Sequence, residues 1–257
     1  MPLNPNIPEL EPDHPELANS GYMRRDYGAQ PYGSIVSAVP FPDDLLIPEV
    51  EWQERLREQK AQKTGLLSLR EHYGIKSLNQ SSHPLCWAFS STKGVMYCRA
   101  KDNQEFKLLS PWYVAGRIKN WRDEGGWSSA SIQFIAETGI PTMDLCPSYQ
   151  RSYDTADTRA NAALHRCMKF YECDSGDRSK RRHQMISGLL LGLAGMADYN
   201  YISHAMCLMH LESIGPDKSV CDNSWGDDSG DRGLYSVGSH IPDDLLFAGS
   251  MTATEEH

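Results

Sequence analysis

At 257 residues, with 40% hydrophobic and 23% charged side chains, the chain has the composition of a globular protein able to bury a core. A formal charge of −9 argues against nucleic acid as a main partner, and no apolar run approaches the ~20 residues that span a bilayer, so no membrane role is expected. The amino-terminal sequence has neither the basic nor the apolar region of a secretory signal. Seven cysteines, an odd count, do not read as a disulfide framework, and both features point to the cytoplasm.

Residues 1–45 hold eight of the 15 prolines with little periodicity. They read as an extended arm that adds little to the core and either crosses a cleft of the remaining domain, 46–257, or contacts a partner protein. Residues 51–63 are polar and strongly helical by propensity, with Trp52 and Leu56 as anchors on one face. At 79–90 the chain reads N-Q-S-S-H-P-L-C-W-A-F-S. A cysteine among apolar residues is ordinarily a small buried hydrophobe. Here Pro84 precedes what reads as a buried helix, which puts Cys86 at its N-terminus, where the dipole favours a thiolate. Gln80, six residues earlier, offers an amide that can donate to an oxyanion beside the sulfur.

Ser110 followed by Pro111 predicts a capped helix start. In E-G-G-W-S-S-A-S-I-Q-F-I-A-E-T-G, Ser128 or Ser129 is expected to cap a short helix that Gly139 ends. Residues 150–185 are charged and weakly patterned, and the basic run 178–183 reads as a solvated loop. The segments A-M-C-L-M-H-L, K-S-V-C-D-N-S-W and G-L-Y-S-V read as strands, so helices first and strands second give an α+β chain. P-D-D-L-L occurs at 42–46 and again at 242–246, and each copy is expected to form one helical turn.

A cysteine nucleophile needs a base and a group that orients the base. His204, in S-H-A-M-C-L-M at the head of an apolar strand, and Asn223, in D-N-S-W-G, stand in the chain order of a Cys-His-Asn set. Gln80, C-W-A-F-S, the paired glycines, H-A and N-S-W-G in this order resemble the papain-like cysteine peptidases (the C1 family) over roughly 47–237. The resemblance implies a two-subdomain α+β fold, with a helical subdomain at about 73–166, a β-barrel-like subdomain at 167–250 and the cleft between them. It further implies Cys86 as nucleophile, His204 as base, Asn223 as orienter and Gln80 as oxyanion donor. Gly125, Gly126 and Trp127 would line the substrate cleft, and Trp225 would shield the His–Asn contact. The substrate would be a peptide or protein, attacked through a thioester, with no metal and no cofactor.

The resemblance breaks at particular positions. The spacing between Trp52 and Gln80 exceeds the family's, which implies a helical insertion. Pro84 replaces a cleft-wall glycine and Ser229 replaces a tryptophan, while His83 and Asp123 stand where the family has a disulfide pair. The arm lacks the charged helical pattern of the family's prosegments. The alternatives are therefore a structural or binding protein on the same fold, tethered by its arm to a larger assembly such as a phage particle, and a transferase using the same thioester.

Overall fold

The computed structural model describes residues 7–25, 38–167 and 169–250. The parts of the arm expectation that fall on 1–6 and 26–37 lie outside the described residues. Among the described residues, seven α-helices pack with one mixed sheet. The first helix, α1 (Trp52–Gln62), matches the expected insertion, with Trp52, Leu56 and Gln59 buried beneath it. Helix α2 (Leu66–Tyr73) leads into the central helix α3 (Cys86–Lys101), which is buried on every side up to its last residue. A helix without a polar face belongs inside a core, and α3 packs against the sheet on one side and against α4 (Pro111–Lys119) and α5 (Ser128–Glu137) on the other.

Ser110 caps α4 as expected, its Oγ accepting from the Tyr113 N–H. The cap of α5 differs from expectation. Trp127 is the N-cap residue, and the Ser128 hydroxyl instead donates to buried Asp198 at 2.5 Å. The basic run is helical as well: Asp177 caps α7 (Arg178–Leu190), following the short α6 (Ala156–Ala162). Arg181 lies buried against the carbonyls of Asp174 and Ser175, and Arg182 pairs with Asp217, so the guanidinium groups satisfy local acceptors rather than solvent.

The sheet order is β1-β2-β7-β3-β4-β5-β6, with only β1 (Ala38–Pro40) parallel to its neighbour β2 (Lys169–Glu172). Strands β3 (Ala194–Tyr199), β4 (His204–Ser213) and β5 (Lys218–Asp222) form an antiparallel meander, β6 (Leu234–Ser236) continues it, and β7 (Asp244–Ser250) returns between β2 and β3. The two P-D-D-L-L copies therefore diverge. The first forms a 3₁₀ turn, whereas the second enters β7, where Leu245 and Leu246 are fully buried on opposite faces of the sheet. Tertiary burial overrides an identical local sequence.

The arm is part of the fold, contrary to expectation. Ile7 and Tyr22 join the core around α3, and Leu10 and Phe41 join the core on the other face of the sheet. Leu10 N–H donates to the Ser236 carbonyl and Ser236 N–H to the Pro8 carbonyl, both at 2.8 Å, so the arm also covers the β6 edge.

Candidate active site

Cys86 opens α3, as its sequence context predicts, and Asn223 directly follows β5. His204 is the first residue of β4 and pairs in register with Tyr199 at the end of β3. Asn223 Oδ1 accepts from His204 Nε2 at 2.8 Å and from the Ser224 N–H at 2.7 Å. With Nε2 as donor, Nδ1 carries the free lone pair of the imidazole, and this buried atom has no hydrogen-bond partner. The Cys86 thiol lies beside the backbone of Ala205, the residue after His204. Trp225 stacks on the His204 ring at 5.0 Å between centroids, which keeps water from the His204–Asn223 bond.

Gln80 is aimed by its surroundings. Its N–H donates to the Ser224 carbonyl at 2.8 Å, and its Oε1 accepts from Ser224 Oγ at 2.5 Å, so Nε2 turns towards the start of α3. Both donors expected to hold an oxyanion meet the same atom, the backbone carbonyl oxygen of Ser20. It accepts from the Cys86 N–H at 3.1 Å and from Gln80 Nε2 at 3.2 Å. The arm thus runs through the cleft and fills the position for which those donors are arranged.

Contacts on both sides of Ser20 hold the arm there. Gly126 N–H donates to the Gly21 carbonyl at 3.0 Å, Met23 N–H donates to the Gly126 carbonyl at 3.2 Å, and Trp127 Nε1 donates to the Met23 carbonyl at 2.7 Å. Gly125 also closes on the arm, since a Cβ there would lie 2.4 Å from the Gly21 oxygen. The cleft residues expected from sequence, Gly125, Gly126 and Trp127, therefore contact the protein's own chain. On the opposite side His14 stacks on the face of Trp225, 4.9 Å between centroids, and Glu16 Oε2 accepts from Ser229 Oγ.

Two of the departures at the cleft thus have partners in the arm. Pro84 lies against Gly21, whose φ of +84° and lack of a Cβ permit the approach, and Ser229 lies against Glu16. Nothing in the local sequence of residues 14–22 signals this route. The one trace it leaves there is Gly21 itself, a glycine among bulkier residues.

Burial sets the electrostatics. Cys86 and His204 are both 0% exposed. Desolvation pushes the Cys86 thiol well above its usual range, with Asp198 adding to the rise, and outweighs the helix-terminal effect expected from sequence. It also pulls His204 down to about 4, against the raising effect of the Asn223 hydrogen bond. Both shifts favour the neutral forms, in contrast to the thiolate expected from the place of Cys86 at a helix start.

The cleft wall is tied by His83 Nδ1 and Asp123 Oδ1, 3.0 Å apart, at the two positions where the resemblance places a disulfide. Their side chains are 34% and 51% exposed, so a double-mutant cycle of His83→Ala and Asp123→Ala should give a coupling of only ~0.2–1 kcal/mol. A coupling of zero would make them unrelated neighbours. None of the seven cysteines forms a disulfide, and all are buried.

Known structures share this fold. The chain superposes on xylellain, a cysteine protease from Xylella fastidiosa, with a TM-score of 0.63 and 12% identity, covering 91% of this chain and 97% of that one. The fold is papain-like. A recombinant stem bromelain precursor matches with a TM-score of 0.56 at 16% identity, covering 88% of this chain and 79% of that one. Digestive procathepsin L 3 of Tenebrio molitor larval midgut matches at 0.55 and 18%, over 67% of this chain and 66% of that one. No family model and no curated protein sequence matches the chain. The papain-like fold is thus preserved at identities that carry no information on activity.

Proposed function

We propose that the protein is a cysteine peptidase held latent by its own amino-terminal arm. The observation that carries this reading is the Ser20 carbonyl between the Cys86 N–H and Gln80 Nε2, two donors converging on one oxygen beside a buried thiol. In the open form, His204 Nδ1 takes the thiol proton and the sulfur attacks the carbonyl carbon of a peptide bond. The resulting oxyanion occupies the position of the Ser20 oxygen. His204 then protonates the leaving amine, and water, deprotonated by His204, cleaves the thioester and restores the thiol.

Three of the structural matches are precursor or pro-forms of proteins with this fold. Full occupancy of the donors and the neutral Cys86–His204 pair equally suit a second reading, a papain-fold scaffold without turnover.

Hydrolysis of an unfolded protein substrate separates the two readings, measured on a variant whose arm is displaced by Gly21→Ala. Turnover that Cys86→Ala abolishes, and that Gln80→Ala lowers by ~10²–10³ in kcat, supports the peptidase. No turnover, with slow and equal labelling of every accessible thiol by an epoxide, would identify the scaffold.

A further inference from the structure

Behind the His204–Asn223 bond lies an ionic cluster that the proposed chemistry does not use. Lys93, two turns along α3 from Cys86, is 1% exposed. Its Nζ donates to Asp222 Oδ1 at 2.5 Å and to the backbone carbonyl of Asn223. Asp222 also accepts from the Tyr97 hydroxyl at 2.7 Å and from Ser77 Oγ, and lies 3.7 Å from Arg70 Nε. The Asn223 N–H donates to the Gly233 carbonyl at 2.8 Å. Asn223 is therefore held by its N–H from the loop before β6, by its carbonyl from α3, and by its side chain from His204 and Ser224.

A lysine within a helix buried on all sides needs a specific reason, because an unpaired ammonium there is strongly disfavoured. Asp222 balances the charge, while the bond to Asn223 fixes a peptide rather than a charge. We propose that Lys93 is a positioning residue, clamping the Asn223 carbonyl so that the Asn223 side chain holds His204 towards Cys86. This rests on the reading of His204 as the base. The charged and titratable groups acting on His204 are Lys93 from α3 and His14 from the arm; those around Lys93 are Asp222, Arg70 from α2, and Tyr97 and Cys207. Lys93 and His14 both act on His204 in the direction that disfavours the imidazolium.

The test is the titration of the His204 imidazole followed by NMR in the full chain, assigned with His204→Gln, so that it needs no turnover. Lys93→Met removes the ammonium and should move the midpoint up by roughly one pH unit, the size of a unit-charge effect over several ångströms at an effective dielectric of about 20. Asp222→Asn leaves the ammonium without its counter-charge and should move the midpoint down, or keep the ring neutral until the protein unfolds. General loosening of the fold would move both the same way. Where one single variant fails to fold, the other is read alone, and a midpoint equal to that of the unsubstituted chain overturns the role. In the Gly21→Ala background, Lys93→Met should lower kcat with little change in KM. Midpoints that move together or not at all overturn the positioning role. Opposite shifts together with loss of the hydrogen-bonded His204 Nε2–H signal in Lys93→Met uphold the clamp, and if there is no turnover the peptidase reading is the part that failed; opposite shifts with that signal kept show a charge effect alone and overturn the positioning role.

Discussion

Gly21→Ala should release Cys86, raising its rate of alkylation by an epoxide at neutral pH by roughly tenfold or more over the unsubstituted chain. A Cβ at this position would lie 1.9 Å from the Pro84 carbonyl oxygen, closer than any real contact, and the backbone there has a φ of +84°. The conformational cost for an L-residue in this region is about 1–2 kcal/mol before the clash is counted, and each ~1.4 kcal/mol corresponds to a factor of ten in the open population. The contacts opposing release next to Gly21 are the two bonds to the Ser20 carbonyl and the pairing with Gly126, neutral hydrogen bonds worth ~0.5–1.5 kcal/mol each, while the contacts of His14 and Tyr22 hold the arm to either side. Steric exclusion at Gly21 therefore competes directly with them. Gly21 lies outside the Cys-His-Asn set, so the substitution leaves the attacking groups unchanged. An alkylation rate equal to that of the unsubstituted chain, in a folded variant, would show that the arm does not gate the thiol.

Acidification should destabilise the protein between pH 6.5 and 4, and His210→Leu should remove a large part of that loss. Burial holds both His204 and His210 at about 4, below the unfolded value of 6.5. Each ring is neutral in the folded chain and protonated in the unfolded chain across this window, so the unfolded state binds more protons and stability falls as pH falls. The shift from 6.5 to about 4 corresponds to about 3 kcal/mol for each histidine. Asp244 works in the opposite direction. Burial and the nearby Asp198 raise it to about 8, so its contribution is present at low pH and is lost as pH rises from 3.8 towards 8. Two histidines against one carboxyl leave a net acid loss of about 3 kcal/mol. His210 makes no hydrogen bond through Nδ1, and leucine nearly matches it in size, so the substitution removes the titration with little loss of packing. Urea midpoints measured at pH 6.5 and pH 4 check this. A difference between them that His210→Leu leaves unchanged would show that His210 is not held neutral.

The central helix and the candidate site are legible in the sequence because their signals are local. Pro84 ahead of an apolar run marks the start of α3 at Cys86, and the Trp52–Leu56 spacing marks α1. The order of Gln80, Cys86, His204 and Asn223 points to one constellation, and the 2.8 Å bond from His204 to Asn223 lies within it. Helix α7 is hidden because a basic run lacks the apolar periodicity that reveals a helix. Its decisive interactions, the bonds of Arg181 to loop carbonyls and of Arg182 to Asp217, connect residues that sequence spacing does not relate. The role of Lys93 is hidden for the same reason, since its partner Asp222 lies 129 residues away.

By itself the sequence singled out the residues of the candidate site: a thiol at a helix start, an imidazole at a strand head, and an asparagine in a turn. Their ionisation was decided only by the tertiary structure. The arm has no periodicity to predict its path, yet its Ser20 carbonyl satisfies the two donors beside the thiol, and Cys86 and His204 are fully buried in the folded chain. The same folding sent one P-D-D-L-L into a 3₁₀ turn and the other into β7. Hydrogen-bonding capacity and side-chain type are properties of residues, whereas desolvation depends on what the rest of the chain brings over them.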